Sequence, residues 1–197
     1  MAPGNVSAGS RGERRARVER TALELFRARG FDRVTVEDVC AGAGVAPATF
    51  YRLFGTKEDV VFAYTGGFTV ALQEALDAAS AEPEPARLPI VLVRFADFLE
   101  SQQEALALRD QIVMGHPRLL QRTLTVQRDL EVALATGLAR LRGLSAADSR
   151  ALLQAGIGLL VLRVALRSWR GGAASSLVVA TRETLDQLAG LVPPAAT

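Results

Sequence analysis

Pro47, Ala48, Tyr51 and Arg52 lie close together in a short segment whose large apolar residues, Phe50, Leu53 and Phe54, recur at helical spacing. One face of such a helix is buried and the other is left for an outside partner. Proline and alanine can offer apolar contact to a thymine methyl, and an arginine can donate to guanine or to phosphate. That chemistry suits the DNA major groove, where the second helix of a helix-turn-helix places the side chains of its early turns against base edges. So small a base-reading set leaves part of any sequence preference to DNA shape. Without a DNA partner the same residues would be a surface aromatic and ordinary helix positions of a three-helix bundle. Turn, cap, basic flank and aromatic together favour DNA.

The remaining reactive side chains are few. With one cysteine, Cys40, and one histidine, His116, the chain can form neither an internal disulfide nor a Cys/His zinc site. Cys40 falls on the inward side of its helix and reads as a small core residue. A Cys/His hydrolase is disfavoured because the two residues belong to different regions, and no nucleophile elbow or phosphate-cradling glycine loop occurs. The expectation is a protein that is not an enzyme and needs no cofactor or metal.

The elements that must position the DNA-facing residues can be read from caps and periodicity. From Arg11 to Arg29, Val18, Ala22, Leu25 and Phe26 mark an amphipathic helix that Gly30 stops. Thr35 stands at an N-cap with Asp38 in the reciprocal position, predicting a helix over Val36–Ala43. Gly44 permits a tight turn, Val45 plugs the angle, and Pro47 opens a helix that runs to Phe54 and ends at Gly55. Ala46 at its N-cap offers no side-chain bond, a deficit of about 1 kcal/mol. Thr56 caps a fourth helix with Asp59 and is expected to continue to about Ser80. The prolines at 83, 85 and 89 predict a loop over 81–89. Further helices are expected over 90–103, 105–114, 117–141, 145–170 and 176–191, so the fold class is all-α.

The run from Thr35 to Lys57 strongly resembles the DNA-binding signature of TetR-family regulators. The resemblance covers the basic helix before it, the Gly44-Val45 turn, the Thr49-Phe50-Tyr51-Arg52-Leu53-Phe54 core and the Thr56-Lys57 opening. It implies an N-terminal three-helix helix-turn-helix DNA-binding domain followed by a helical ligand-binding and dimerisation domain. It further implies that Thr35, Thr49, Tyr51 and Lys57 anchor the DNA backbone, contacts that set register rather than sequence. Lys57 would join the amides of a helix N-terminus that already favours an anion. Arg11, Arg14, Arg15 and Arg17 either touch phosphates or an adjoining minor groove, or are simply solvated.

In that family's layout the C-terminal helices enclose a ligand pocket, and the last two long helices pair with those of a second subunit. The segments 145–170 and 176–191 are apolar on more than one face, which favours a homodimer through these two helices, with Gly156 and Gly158 permitting close approach. The region from His116-Pro117 onward is similar to the mycofactocin-associated subgroup and hints at an acyl-type small-molecule effector. Phe62, Phe95, Phe98 and Met114 are the candidate apolar lining, and Gln102, Arg109, His116, Gln127 and Arg163 the candidate polar handles. Each has a plainer alternative: His116 can bond a nearby carbonyl at a helix break, and Arg163 can form an interhelical salt bridge.

Bulk properties agree. The 197 residues carry a net charge of +2, but residues 1–57 hold ten basic and six acidic side chains, a basic head on a mildly acidic body. The most apolar stretch, Ala151 to Leu166, contains Gln154 and Arg163 and reads as a buried helix rather than a membrane span. The first ten residues lack an apolar signal core, so the cytoplasm is the expected compartment. The expected organisation is a disordered N-terminus over 1–10, a DNA-binding domain over 11–57 and a sensing and dimerisation domain over 58–197. The partners would be a double-stranded DNA operator, a second copy and the effector, with no membrane. The alternative is a helical protein-interaction module without sequence-specific DNA binding.

Overall fold

The computed structural model describes residues 6–191, with side chains from Arg11 onward. Among the described residues the chain is all-α: α1 (Val6–Arg29), α2 (Val36–Ala43), α3 (Pro47–Phe54), α4 (Lys57–Val61), α5 (Thr65–Ala78), α6 (Glu84–Ser101), α7 (Gln103–Met114), α8 (Pro117–Leu141), α9 (Ser149–Arg170) and α10 (Leu177–Leu191). Helix α1 begins at Val6 rather than at Arg11. Residues 1–5 lie outside the described residues.

Three other boundaries differ from expectation, each for a local reason. The single helix expected from Lys57 to Ser80 is two helices, because the chain turns between Phe62 and Thr65. The Thr65 hydroxyl donates to the Phe62 carbonyl at 2.9 Å, and Gly66 and Gly67 then enter the next helix at a cost in propensity. The loop expected over 81–89 is helical from Glu84 onward, with Pro83 at the N-cap and Pro85 in the first turn, where a missing N–H costs nothing. Pro89 alone lies inside the helix. Helix α9 starts at Ser149 rather than Ser145, because Asp148 caps it by accepting from the Ala151 amide at 2.9 Å.

Compactness divides the chain otherwise than a linear cut at 57. One unit comprises the chain to Thr65 together with Glu104–Thr123; the other comprises Gly66–Gln103 together with the chain from Leu124. In the first unit Val18, Ala22, Val34, Val39, Phe50 and Val60 are fully buried, and Phe26 meets Phe31 edge-on at 4.9 Å. The second unit has its own core, in which Leu92, Leu134, Ala155 and Leu177 are buried. There α10 packs against α9 and α6, and Phe68, Phe95 and Phe98 form a ring cluster with centroids 5.8 to 6.1 Å apart.

Helix α9 has the length and apolar composition of a membrane span. Its packing against α10 and α6 is that of a core helix with one open side. Gly158 is buried within the chain, where an added Cβ would stand 3.2 Å from Leu88 and Leu92. It serves the monomer's core, so the close approach of a second subunit expected at this glycine is corrected. Leu152, Leu153, Leu160 and Val164 of the same helix are open, Leu153 to 64%.

Candidate nucleic-acid interface

Two capping boxes of the same design set the head's geometry. At α2, the Thr35 hydroxyl accepts from the Asp38 amide at 3.1 Å, while Asp38 Oδ2 accepts from the Thr35 amide and hydroxyl at 2.8 Å each. At α4, Thr56 and Asp59 repeat the pattern at 3.1, 2.9 and 2.6 Å. The backbone bond from Thr35 and then its hydroxyl hold the Asp38 carboxyl below its usual range. Burial raises Asp59, but the Thr56 hydroxyl and the Arg122 guanidinium outweigh it, and the net direction is downward. Both caps therefore present an ionised carboxylate to the positive end of a helix.

Between α2 and α3, Gly44 adopts φ 63° and ψ 44°, the left-handed conformation that lets the Val45 amide reach back to the Cys40 carbonyl at 3.0 Å. Burial pushes the Cys40 thiol up, as suits a core residue. Helix α3 then buries Phe50, Leu53 and Phe54 and exposes Pro47, Ala48, Tyr51 and Arg52. Thr49 is half-buried. The Tyr51 ring stands edge-on to Phe50 at 5.6 Å and is 51% exposed. Two short helices joined by a glycine turn, with the second presenting an unencumbered face, constitute a helix-turn-helix.

Ala46 makes no side-chain bond to the start of α3, although its backbone has the extended cap conformation (φ −74°, ψ 149°). Ala46→Ser supplies the missing acceptor without moving the backbone. It is expected to stabilise the chain by about 0.5 to 1 kcal/mol in a urea melt, with an unchanged slope.

Several head cations are committed inward. Lys57 Nζ donates to the carbonyls of Phe31 at 2.8 Å and Val34 at 2.9 Å and lies 4.3 Å from the centre of the Phe31 ring. It closes the loop between α1 and α2. Arg15 donates to the Leu53 carbonyl at 2.7 Å and stacks over Phe54, and Arg17 donates to the Ala43 carbonyl at 3.1 Å. These two arginines satisfy the last carbonyls of α3 and α2, a role that neither sequence alternative for them anticipated. Thr35 likewise gives both its donors to Asp38. Arg11 and Arg14 are exposed.

A second set of residues that periodicity missed joins α7 and the start of α8 to the head. Arg109 of α7 is buried and pairs with Glu19 of α1, its guanidinium 4.6 Å from the Tyr64 ring centre. Arg122 of α8 pairs with Asp59 and lies 5.2 Å from the Phe62 ring. His116, between the two helices, places Nδ1 3.6 Å from Asp32 Oδ2. These contacts explain why residues 104–123 belong to the head's unit.

The candidate ligand residues are not gathered. In the first unit Phe62 and Arg109 are buried, Met114 is 76% exposed, and His116 lines a cavity of about 610 Å³ with Phe31, Asp32, Lys57 and Glu58. In the second, Phe95 and Phe98 share the ring cluster, whereas Gln102, Gln127 and Arg163 are exposed. Gln102 ends α6, and its side-chain amide reaches only Ser101. A groove of about 830 Å³ in that unit is lined by Pro89, Ile90, Val93, Arg94, Arg182 and Leu185 among others, and by none of the nine candidates. Met114, Gln102, Gln127 and Arg163 are thus exposed in the chain taken alone, and Arg109 is paired with Glu19. Helical spacing shows which residues share a face but not which face is covered.

The head defines the class as a helix-turn-helix regulator of transcription, and comparison with known proteins agrees. Residues 20–64 match the family described as bacterial regulatory proteins, tetR family. The chain is 32% identical over 180 residues to the HTH-type transcriptional regulator TcmR of Streptomyces glaucescens, covering 86% of this chain and 80% of that one. It is 28% identical over 123 residues to the putative mycofactocin biosynthesis transcriptional regulator MftR of Mycobacterium tuberculosis, 62% of each chain. The crystal structure of Thermus thermophilus FadR, a TetR-family transcriptional repressor in complex with lauroyl-CoA, superposes with a TM-score of 0.59. That alignment has 22% identity over 92% of this chain and 97% of the other. The chain belongs to the TetR family of transcriptional regulators, which are not enzymes.

Proposed function

We propose that this regulator is a cytoplasmic repressor that binds a double-stranded DNA operator as a homodimer and leaves it when a small-molecule effector binds. The observation that carries the reading is the divided face of α3. Phe50, Leu53 and Phe54 are spent on the core, while Pro47, Ala48, Tyr51 and Arg52 are exposed. The open apolar residues of α9, Leu152, Leu153, Leu160 and Val164, support a second copy as the partner of that helix. Two recognition helices related by a two-fold axis then address successive major grooves.

Residues 11–57 supply the DNA-binding part, with Thr35, Thr49, Tyr51 and Lys57 expected beside the phosphates. Sensing and dimerisation fall to residues 58–197. The aromatic cluster of Phe68, Phe95 and Phe98 supports an apolar effector. The lauroyl-CoA of the Thermus FadR complex makes an acyl thioester the first candidate to try. An effector acts by favouring a dimer whose recognition helices are mis-spaced. A coupling of about 1–3 kcal/mol lowers operator affinity about 5- to 150-fold.

Footprinting of the DNA upstream of the chain's own gene and its neighbours tests the reading. The expected result is a protected two-fold-symmetric site whose protection weakens when lauroyl-CoA is added. No protection anywhere would favour the helical interaction module, and protection indifferent to lauroyl-CoA would remove the acyl effector.

A further inference from the structure

Helix α9 carries Arg150, Arg163, Arg167 and Arg170 and no acidic residue. Its open face runs from Leu152 to Arg167 and includes Gly156, Leu160, Arg163 and Val164, all within about 120° of one another at about 100° per residue. Any acid that meets these arginines must come from another helix. The neighbouring α8 sets Glu131 against this face. A Cβ added at Gly156 would stand 3.6 Å from Glu131 Oε1, so the carboxylate overhangs the notch that the glycine leaves. Glu131 is half-buried and Arg163 exposed, and among the described residues neither has a hydrogen bond or an ion pair. In its own chain Arg163 stands about 10 Å further along α9 than Gly156, two turns away from the notch.

We infer that in the homodimer Arg163 of each subunit pairs with Glu131 of the partner subunit across an antiparallel α9 contact, with Gly156 left bare to admit the guanidinium. Two α9 helices laid parallel about a two-fold axis would set each arginine against its own copy. Antiparallel, with the axis at the middle of the open face between Leu159 and Leu160, Arg163 falls opposite Gly156 of the partner subunit. That position is about 5 Å from the axis, near enough to stay in contact at the usual crossing angles. The guanidinium then enters the notch beside Glu131 of the partner subunit, where its planar fork suits a carboxylate. Arg167 falls instead opposite Leu152 at the end of the face, where its stem covers apolar surface and its head stays in water. The two symmetric pairs fix a register that the leucines alone do not specify.

The inference rests on the homodimer proposed above, and charge exchange tests the two claims separately. Sedimentation of the full chain is compared for the wild type, Arg163→Glu, Glu131→Arg and an equimolar mixture of the two variants. The first substitution makes both positions acidic and the second makes both basic, so each variant opposes like charges in its own homodimer. Each is expected to raise the dimer dissociation constant at least about 25-fold, about 5-fold for each of the two pairs. Mixed, the variants form a heterodimer in which both pairs are restored, and the dissociation constant is expected to return close to the wild-type value. A pair formed inside one chain would gain nothing from mixing. Mixing that restores no dimer, or a wild-type dimer indifferent to both substitutions, overturns the pair alone. A wild type that sediments as a monomer overturns the homodimer, and the pair with it. If circular dichroism shows that a charge reversal does not fold, Arg163→Gln, Glu131→Gln and the double variant take its place. The double variant is then expected to weaken the dimer no more than either single one, and losses that simply add overturn the pair.

Discussion

Tyr51→Ala combined with Arg52→Ala is expected to lower operator affinity by at least about 100-fold while leaving the dimer and the melting temperature unchanged. Both side chains are exposed on α3, and the Tyr51 ring touches only the edge of Phe50, so truncation removes little that the fold uses. Exposed substitutions of this kind stay within about 0.5 kcal/mol of wild-type stability. In a complex each subunit loses both contacts. Four losses at about 1 kcal/mol each, the low end for a good base or phosphate contact, amount to more than two factors of ten. Anisotropy titration with a promoter duplex, beside sedimentation of the free protein, reads both halves. Retained affinity would move the recognition surface off α3, and loss of the dimer would refute the division of roles between head and body.

Lys57→Ala is expected to act in a different currency. The ammonium bonds the Phe31 and Val34 carbonyls and covers the Phe31 ring. Removing it strands two acceptors at the base of the α1–α2 loop. Charge-assisted bonds of this kind are worth about 1.5–3 kcal/mol each, reduced here because the site is only half-buried and water can reach the carbonyls. A loss of about 2–3 kcal/mol follows, a fall of about 4–12 °C in melting temperature for a chain of this size. Lys57→Arg should recover little, since a planar fork does not reproduce a point donor between two carbonyls. Weakened DNA binding with an unaltered melt would instead show that Lys57 serves the phosphates alone.

The two substitutions mark where the sequence was legible. Thr35 with Asp38 and Thr56 with Asp59 are bonded three residues apart, so a local pattern suffices to place α2 and the start of α4, and Gly44 and Pro47 bound α3 equally locally. What joins those pieces is not local. Arg15 reaches Leu53 across 38 residues, and Arg109 reaches Glu19 across 90. No periodicity distinguishes these arginines from solvated ones. The same limit scattered the ligand candidates: Phe95 and Phe98 meet because they lie three apart on α6, whereas Arg163 and Gln127 needed knowledge of which side of α9 and α8 is covered. Breaker residues misled for a third reason. Pro85 is tolerated in α6 because it stands in the opening turn, and position within a helix is unknown until its start is known.

The central claim is that α3 carries this chain onto DNA, and the dependence of affinity on salt tests it most directly. Titration of a footprinted promoter duplex between about 50 and 200 mM salt should give a linear fall of log affinity with log salt. Tyr51→Ala with Arg52→Ala should make that slope shallower as phosphate contacts are lost. Binding that is indifferent to salt, or a slope the two substitutions leave untouched, would contradict the account.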